Sequence, residues 1–136
     1  MQSQVIIFDF FGVVFDPHTG AVTAGLEDFL LKLQAAGKKC GVASSSSTLH
    51  IEQFLTEHNI ASYFGVVVGA DTVTRLKPDP ECYQAVADYF TAAPETCLII
   101  DDSEAALTAA ARRGFQIIYF GNGLDNFKKI ATLVGL

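Results

Sequence analysis

The residues able to do chemistry stand where apolar runs end. Asp9 closes Val5-Ile6-Ile7-Phe8, Ser44 follows Gly41-Val42-Ala43, and Asp101-Asp102 closes Cys97-Leu98-Ile99-Ile100. Lys77 ends the polar loop that begins at Gly69, just after Val66-Val67-Val68. Carboxylates, a hydroxyl and an ammonium brought together suit a hard cation plus a phosphoryl group. Magnesium takes one or two carboxylates and completes its shell with waters and phosphate oxygens. Serine and lysine can hold the remaining oxygens while one carboxylate serves as nucleophile. Each residue alone has a plainer reading. A strand-end aspartate caps a turn, a serine run makes a loop or N-cap, and a Lys-Pro pair sits at the surface. The functional case therefore rests on their order and spacing.

These residues need a scaffold that gathers them. Short apolar runs rich in branched residues read as strands covered on both faces, the kind found in parallel sheets. Ligands in such sheets sit just beyond the carboxyl ends of the strands. The pattern predicts strands at 5–8, 40–43, 66–68, 97–100 and 115–120. A tight turn or small flap is expected over 11–16, where Gly12 supplies backbone freedom, and a short connection over 17–23. Leu26, Phe29, Leu30 and Leu33 recur at helical spacing, and Gly37 ends that helix. Ser47 or Thr48 caps a helix carrying Ile51, Phe54 and Leu55. Pro78-Asp79-Pro80-Glu81 starts another, with Asp79 as cap and Pro80 in the first turn, running to about Phe90. Ser103 begins an alanine-rich helix that stops at Gly114, and a final helix spans 124–134. Strands alternating with helices give an α/β fold with a five-stranded parallel sheet and right-handed crossovers, in one domain over 1–136.

Bulk properties exclude several classes. Of 136 residues, half are apolar and 18% are charged, which favours a dense core over disorder. No apolar run approaches the ~20 residues of a membrane helix. Met1-Gln2-Ser3-Gln4 lacks a basic region, so no secretory signal is expected and a cytoplasmic location is. A formal charge of −6 argues against nucleic acid as partner. The pairs Lys38-Lys39, Arg112-Arg113 and Lys128-Lys129 fall near predicted helix ends, where cations complement the dipole. Cys40, Cys82 and Cys97 lack metal-ligand spacing and read as reduced, partly buried thiols.

The runs IIFDFFGVVFD, GVASSSS, RLKPDPECY and LIIDDSEAAL occur in an order and spacing that resembles the haloacid dehalogenase superfamily, most closely its phosphatase and phosphomutase-like branch. The resemblance covers nearly the whole chain and implies a three-layer, Rossmann-like core. It implies that Asp9 is the nucleophile forming an aspartyl-phosphate and a magnesium ligand. The Phe11 backbone carbonyl matches a second metal contact. Ser44 matches the hydroxyl that binds the transferring group, helped by the Ser45 backbone. Lys77 matches the lysine that neutralises phosphoryl oxygens and steadies the nucleophile. Asp101 and Asp102 match the acidic pair that holds magnesium, with Asp102 the better candidate for direct contact.

The chain departs from the family pattern twice. Phosphatases of the family usually carry a second aspartate two residues after the nucleophile, to protonate the leaving oxygen and activate water; here that residue is Phe11. General acid–base catalysis is typically worth ~10²–10⁴ in rate. Good leaving groups such as acyl phosphates lose least in the first step, whereas dephosphorylation of Asp9 is expected to be slow. An aromatic residue here is also found in the family's true dehalogenases. Val13 in place of their threonine, the Asp101-Asp102 pair and the lack of a cap arginine all weigh against that activity. The second departure is length, because neither customary insertion site leaves room for a helical cap. An open site is poorly shielded from water, so a large phosphorylated substrate, self-association or a partner subunit is expected to cover it. A relative that only binds phosphate or a phosphorylated partner is the competing expectation. His18, His50, His58 and Arg75 read as surface residues.

Overall fold

The computed structural model describes residues 2–136, with Met1, and so the first residue of the signal-peptide reading, outside them. At its centre is β1 (Val5–Phe8), buried along its whole length. It pairs in parallel with β4 (Lys39–Ala43) on one side and β6 (Cys97–Asp101) on the other. Adding β5 (Val66–Val68) and β7 (Gln116–Tyr119) outside these gives the order β5-β4-β1-β6-β7, every pairing parallel. The five-stranded parallel sheet is as expected.

Side chains of a strand alternate between faces, so β1 serves two cores at once. Ile6 and Phe8 pack with residues of α1 (Leu26–Ala35), α2 (Thr48–Glu57) and α5 (Phe127–Leu133). Val5 and Ile7 pack with α3 (Glu81–Tyr89) and α4 (Glu104–Ala111). The result is three layers. Phe8 meets the rings of Phe29, Phe64 and Phe127 at centroid distances of 6.1, 5.7 and 5.8 Å. Helix starts follow side-chain capping: Ser47, Ser103 and Asn126 accept from the backbone N–H of His50, Ala106 and Lys129.

Several local expectations change. The connection over 17–23 is not plain loop: β2 (Phe15–Asp16) and β3 (Ala21–Val22) form a two-stranded antiparallel hairpin. Strands this short carry too little periodicity to be read from sequence. Pro80 is the N-cap of α3 rather than a first-turn residue, and Asp79 accepts the Glu81 N–H at 2.9 Å. Because Asn126 caps α5, the helix starts three residues later than expected. Lys128 and Lys129 thus lie in its first turn, where the dipole opposes them; Lys129 instead meets Asp125 at 3.3 Å. The three cysteines are free, and all three are buried rather than partly exposed. His58 is half-buried, its ring stacked 4.0 Å from that of Phe54.

Between β1 and α1 the chain holds only the hairpin, and between β4 and β5 only α2 and a short 3-10 turn, so neither point carries a helical cap. Among the described residues no helix is long and apolar enough to cross a membrane. Because Phe8 joins three elements through one ring, Phe8→Ala is expected to cost ~3–5 kcal/mol of stability. Urea unfolding measures this directly, and a loss under ~1 kcal/mol would contradict the packing described.

Candidate active site

Parallel strands all end on one edge, and the chemistry-bearing residues collect there. Asp9 follows β1 directly, with its N–H donating to the Ile100 carbonyl at 3.0 Å, and Asp101 is the last residue of β6. Both carboxylates are buried, and Lys77 lies between them. Its Nζ is 2.8 Å from Asp9 Oδ1 and 2.7 Å from Asp101 Oδ2. The loop that delivers this lysine is pinned by Glu81, whose carboxylate accepts from the Thr74 and Arg75 N–H groups at 2.6 and 3.0 Å.

Asp101 has no idle oxygen. Oδ2 also accepts from the hydroxyl of fully buried Tyr83, and Oδ1 accepts from the Ser103 N–H at 3.0 Å. Asp102 differs in being exposed. One carboxylate oxygen from each of Asp9, Asp101 and Asp102 lies within 4.8 Å of the others, a hard-oxygen set of the type magnesium prefers. Gly12 completes the cradle. Its φ of +85° favours glycine, and a Cβ there would push the Asp102 carboxylate from its place.

Electrostatics follows from burial. Desolvation pushes the Asp9 carboxyl up to about 8, opposed by Lys77 and reinforced by Asp101. Burial would raise Asp101 as well, yet Lys77, the Tyr83 hydroxyl and the Ser103 N–H outweigh it and hold that carboxyl below its usual range. Asp102 is raised too: although the residue is exposed, its carboxyl is partly desolvated, and the charge of Asp101 adds to this. Desolvation favours neutral Lys77, but its two carboxylate partners overcome this and raise it, so it stays an ammonium.

The description "haloacid dehalogenase-like hydrolase" belongs to the family model that matches residues 13–120, a span that includes Ser44, Lys77, Asp101 and Asp102 and begins just after Asp9. The chain belongs to this haloacid dehalogenase-like hydrolase family. It is 34% identical over 120 residues to a phosphoglycolate phosphatase of Salmonella typhimurium, covering 88% of this chain and 45% of that protein. A phosphoglycolate phosphatase of Nitrosococcus oceani is 31% identical over 102 residues, covering 75% of this chain and 45% of that one. The chain thus spans less than half the length of these curated relatives. In fold it superposes on a haloacid dehalogenase superfamily hydrolase from Ehrlichia chaffeensis with a TM-score of 0.88 at 15% identity, covering 98% and 97% of the two chains.

Asp9, Phe11, Ser45, Lys77, Asp101 and Asp102 line one open cleft of about 320 Å³, joined by Pro78, Ser103 and Ala105. Ser44 lies behind this wall, buried, its Oγ accepting from the Ser46 N–H at 3.1 Å; the hydroxyl proton remains available to donate. His18, His50, His58 and Arg75 are not among the lining residues. Sequence reasoning gave no role to Tyr83 or Glu81, although both stand in the Lys77 segment. Their spacing after Lys77, on the first turn of a helix that starts beside the lysine, was the available signal.

Asp9 also makes the site costly to the fold. Its folded pKa lies above the ordinary carboxylate value, so its contribution is fully present below about pH 4 and is lost as pH rises toward about 8. Asp9→Asn removes that penalty and leaves the Lys77–Asp101 pair intact. In metal-free protein, the urea midpoint of wild type is expected to fall between about pH 5 and 8 more steeply than that of Asp9→Asn. Parallel profiles would contradict the assignment.

Proposed function

We propose that the chain is a magnesium-dependent phosphohydrolase that works through an Asp9 nucleophile and lacks a side-chain acid/base at Phe11. The observation that carries this reading is the buried lysine held between two strand-end carboxylates. A phosphoryl group entering there would meet a cation and a nucleophile together, with Ser45 beside them in the lining. The phosphoglycolate phosphatases among the relatives support phosphorylated substrates as a class.

Asp9 attacks phosphorus, forming an O–P bond as the bond to the leaving oxygen breaks. The electron pair departs with that oxygen, which takes its proton from solvent because Phe11 has none to give. Lys77 offsets charge on the phosphoryl oxygens and the Ser45 N–H orients them, in a turn that Ser44 fixes by accepting the Ser46 N–H. Water then attacks the aspartyl-phosphate, releasing phosphate and restoring the carboxylate. Asp9, Asp102 and the Phe11 carbonyl would hold magnesium, which supplies further stabilisation of phosphoryl charge. Asp101 backs this set, since its oxygens already serve Lys77, Tyr83 and Ser103.

Restoring a carboxyl at Phe11 tests the mechanism. Phe11→Asp is expected to raise magnesium-dependent turnover of p-nitrophenyl phosphate by about 10²-fold, and Asp9→Asn to abolish it. A fast wild type that Phe11→Asp leaves unchanged would refute the part assigned to Phe11. Activity surviving Asp9→Asn would refute the nucleophile.

A further inference from the structure

Phe11 does more than remove an acid. It is 57% exposed, an unusual state for a phenylalanine, and it faces the cleft that holds Asp9, Lys77 and Asp102. The ring is supported from beneath. It lies 5.5 Å from Phe15 at 31°, and Phe15 stacks on Phe10 at 5.9 Å and 26° and meets Phe54 edge-on at 5.2 Å. The backbone is fixed as well, since the Gly12 N–H donates to the Phe15 carbonyl at 2.8 Å and the Phe15 N–H to the Phe10 carbonyl at 2.9 Å. A ring so held is a preorganised contact surface, with little freedom left to lose on binding.

The rest of the cleft agrees in chemistry. Its floor is the charged set of Asp9, Lys77, Asp101 and Asp102, while Phe11, Pro78 and Ala105 supply its apolar lining. At about 320 Å³ it lies at the small end of ligand sites, room for one ring beside a phosphoryl group. Phe11 has no proton to give a leaving oxygen, which favours groups that depart as stable anions.

Resting on the Asp9 reading above, we propose that this site selects monocyclic aryl phosphates, with the Phe11 ring stacking on the aromatic leaving group. Both features at this position then serve one substrate class. A phenolate departs without a proton from the protein, and its ring finds an aromatic partner. Aromatic pairs contribute enough to shift affinity by about three- to tenfold.

Binding of two non-hydrolysable probes tests this without turnover: phenylphosphonate and propylphosphonate, by calorimetry with magnesium present. Wild type is expected to prefer the phenyl probe by about three- to tenfold, and Phe11→Leu to bring the two within about twofold. Because Phe11 is exposed, the leucine variant spares the core, and Phe15→Leu, which withdraws the support, is expected to weaken the preference in the same direction. Equal affinities in wild type, or a preference that survives Phe11→Leu, would overturn the proposal while leaving the Asp9 chemistry standing. If neither probe binds and Asp9 takes no phosphoryl label from an acyl phosphate, both readings fall.

Discussion

One ammonium holds this site together. Lys77 stands between Asp9 and Asp101, both buried, and is the single cation in contact with either of them among the described residues. Burying a carboxylate without a partner is prohibitive, and removing one member of such a set leaves an uncompensated charge. The arrangement therefore constrains much that surrounds it. The loop from Gly69 must bring the lysine back over the sheet edge, which is why Glu81 spends both carboxylate oxygens on the Thr74 and Arg75 N–H groups. Asp101 is fixed from two further sides by Tyr83 and Ser103. Asp9 is left with less compensation, and its raised pKa records that shortage.

That shortage is what a reactive site needs. Groups whose charge is already fully satisfied have little to offer a substrate or a metal, and function commonly draws on stability in this way. The contrast between the two strand-end carboxylates makes the point. Asp101 is held low by three donors, whereas Asp9 is raised and has charge that a further cation could still compensate. The hairpin and its aromatic stack add a second layer of order. They hold Phe11 at the mouth of an open cleft that no inserted cap covers.

Much of this was legible in the sequence because two periodicities and one topological rule carry it. The apolar runs ending in Asp9, Ala43 and Asp101 mark parallel strands, and parallel strands bring their ends to one edge. The order of the motifs by itself points to the haloacid dehalogenase family. What stayed hidden depended on tertiary contact. Tyr83 reads as one more apolar position of α3, since nothing local shows that its hydroxyl reaches Asp101. The β2–β3 hairpin is too short to leave a pattern. Ser44 and Ser45 are adjacent and chemically alike, and only the turn between them decides that one is buried behind the cleft while the other lines it.

In the mechanism proposed for Asp9, phosphoryl transfer to it outpaces its release, because the Phe11 side chain cannot activate the hydrolytic water. Stopped-flow release of p-nitrophenolate at high enzyme concentration tests it most directly, with the quenched protein examined for phosphate on Asp9. A burst close to one equivalent of enzyme is expected, then a slow steady state, with Asp9 phosphorylated throughout. Linear release from the first turnover, with Asp9 unmodified, would contradict it.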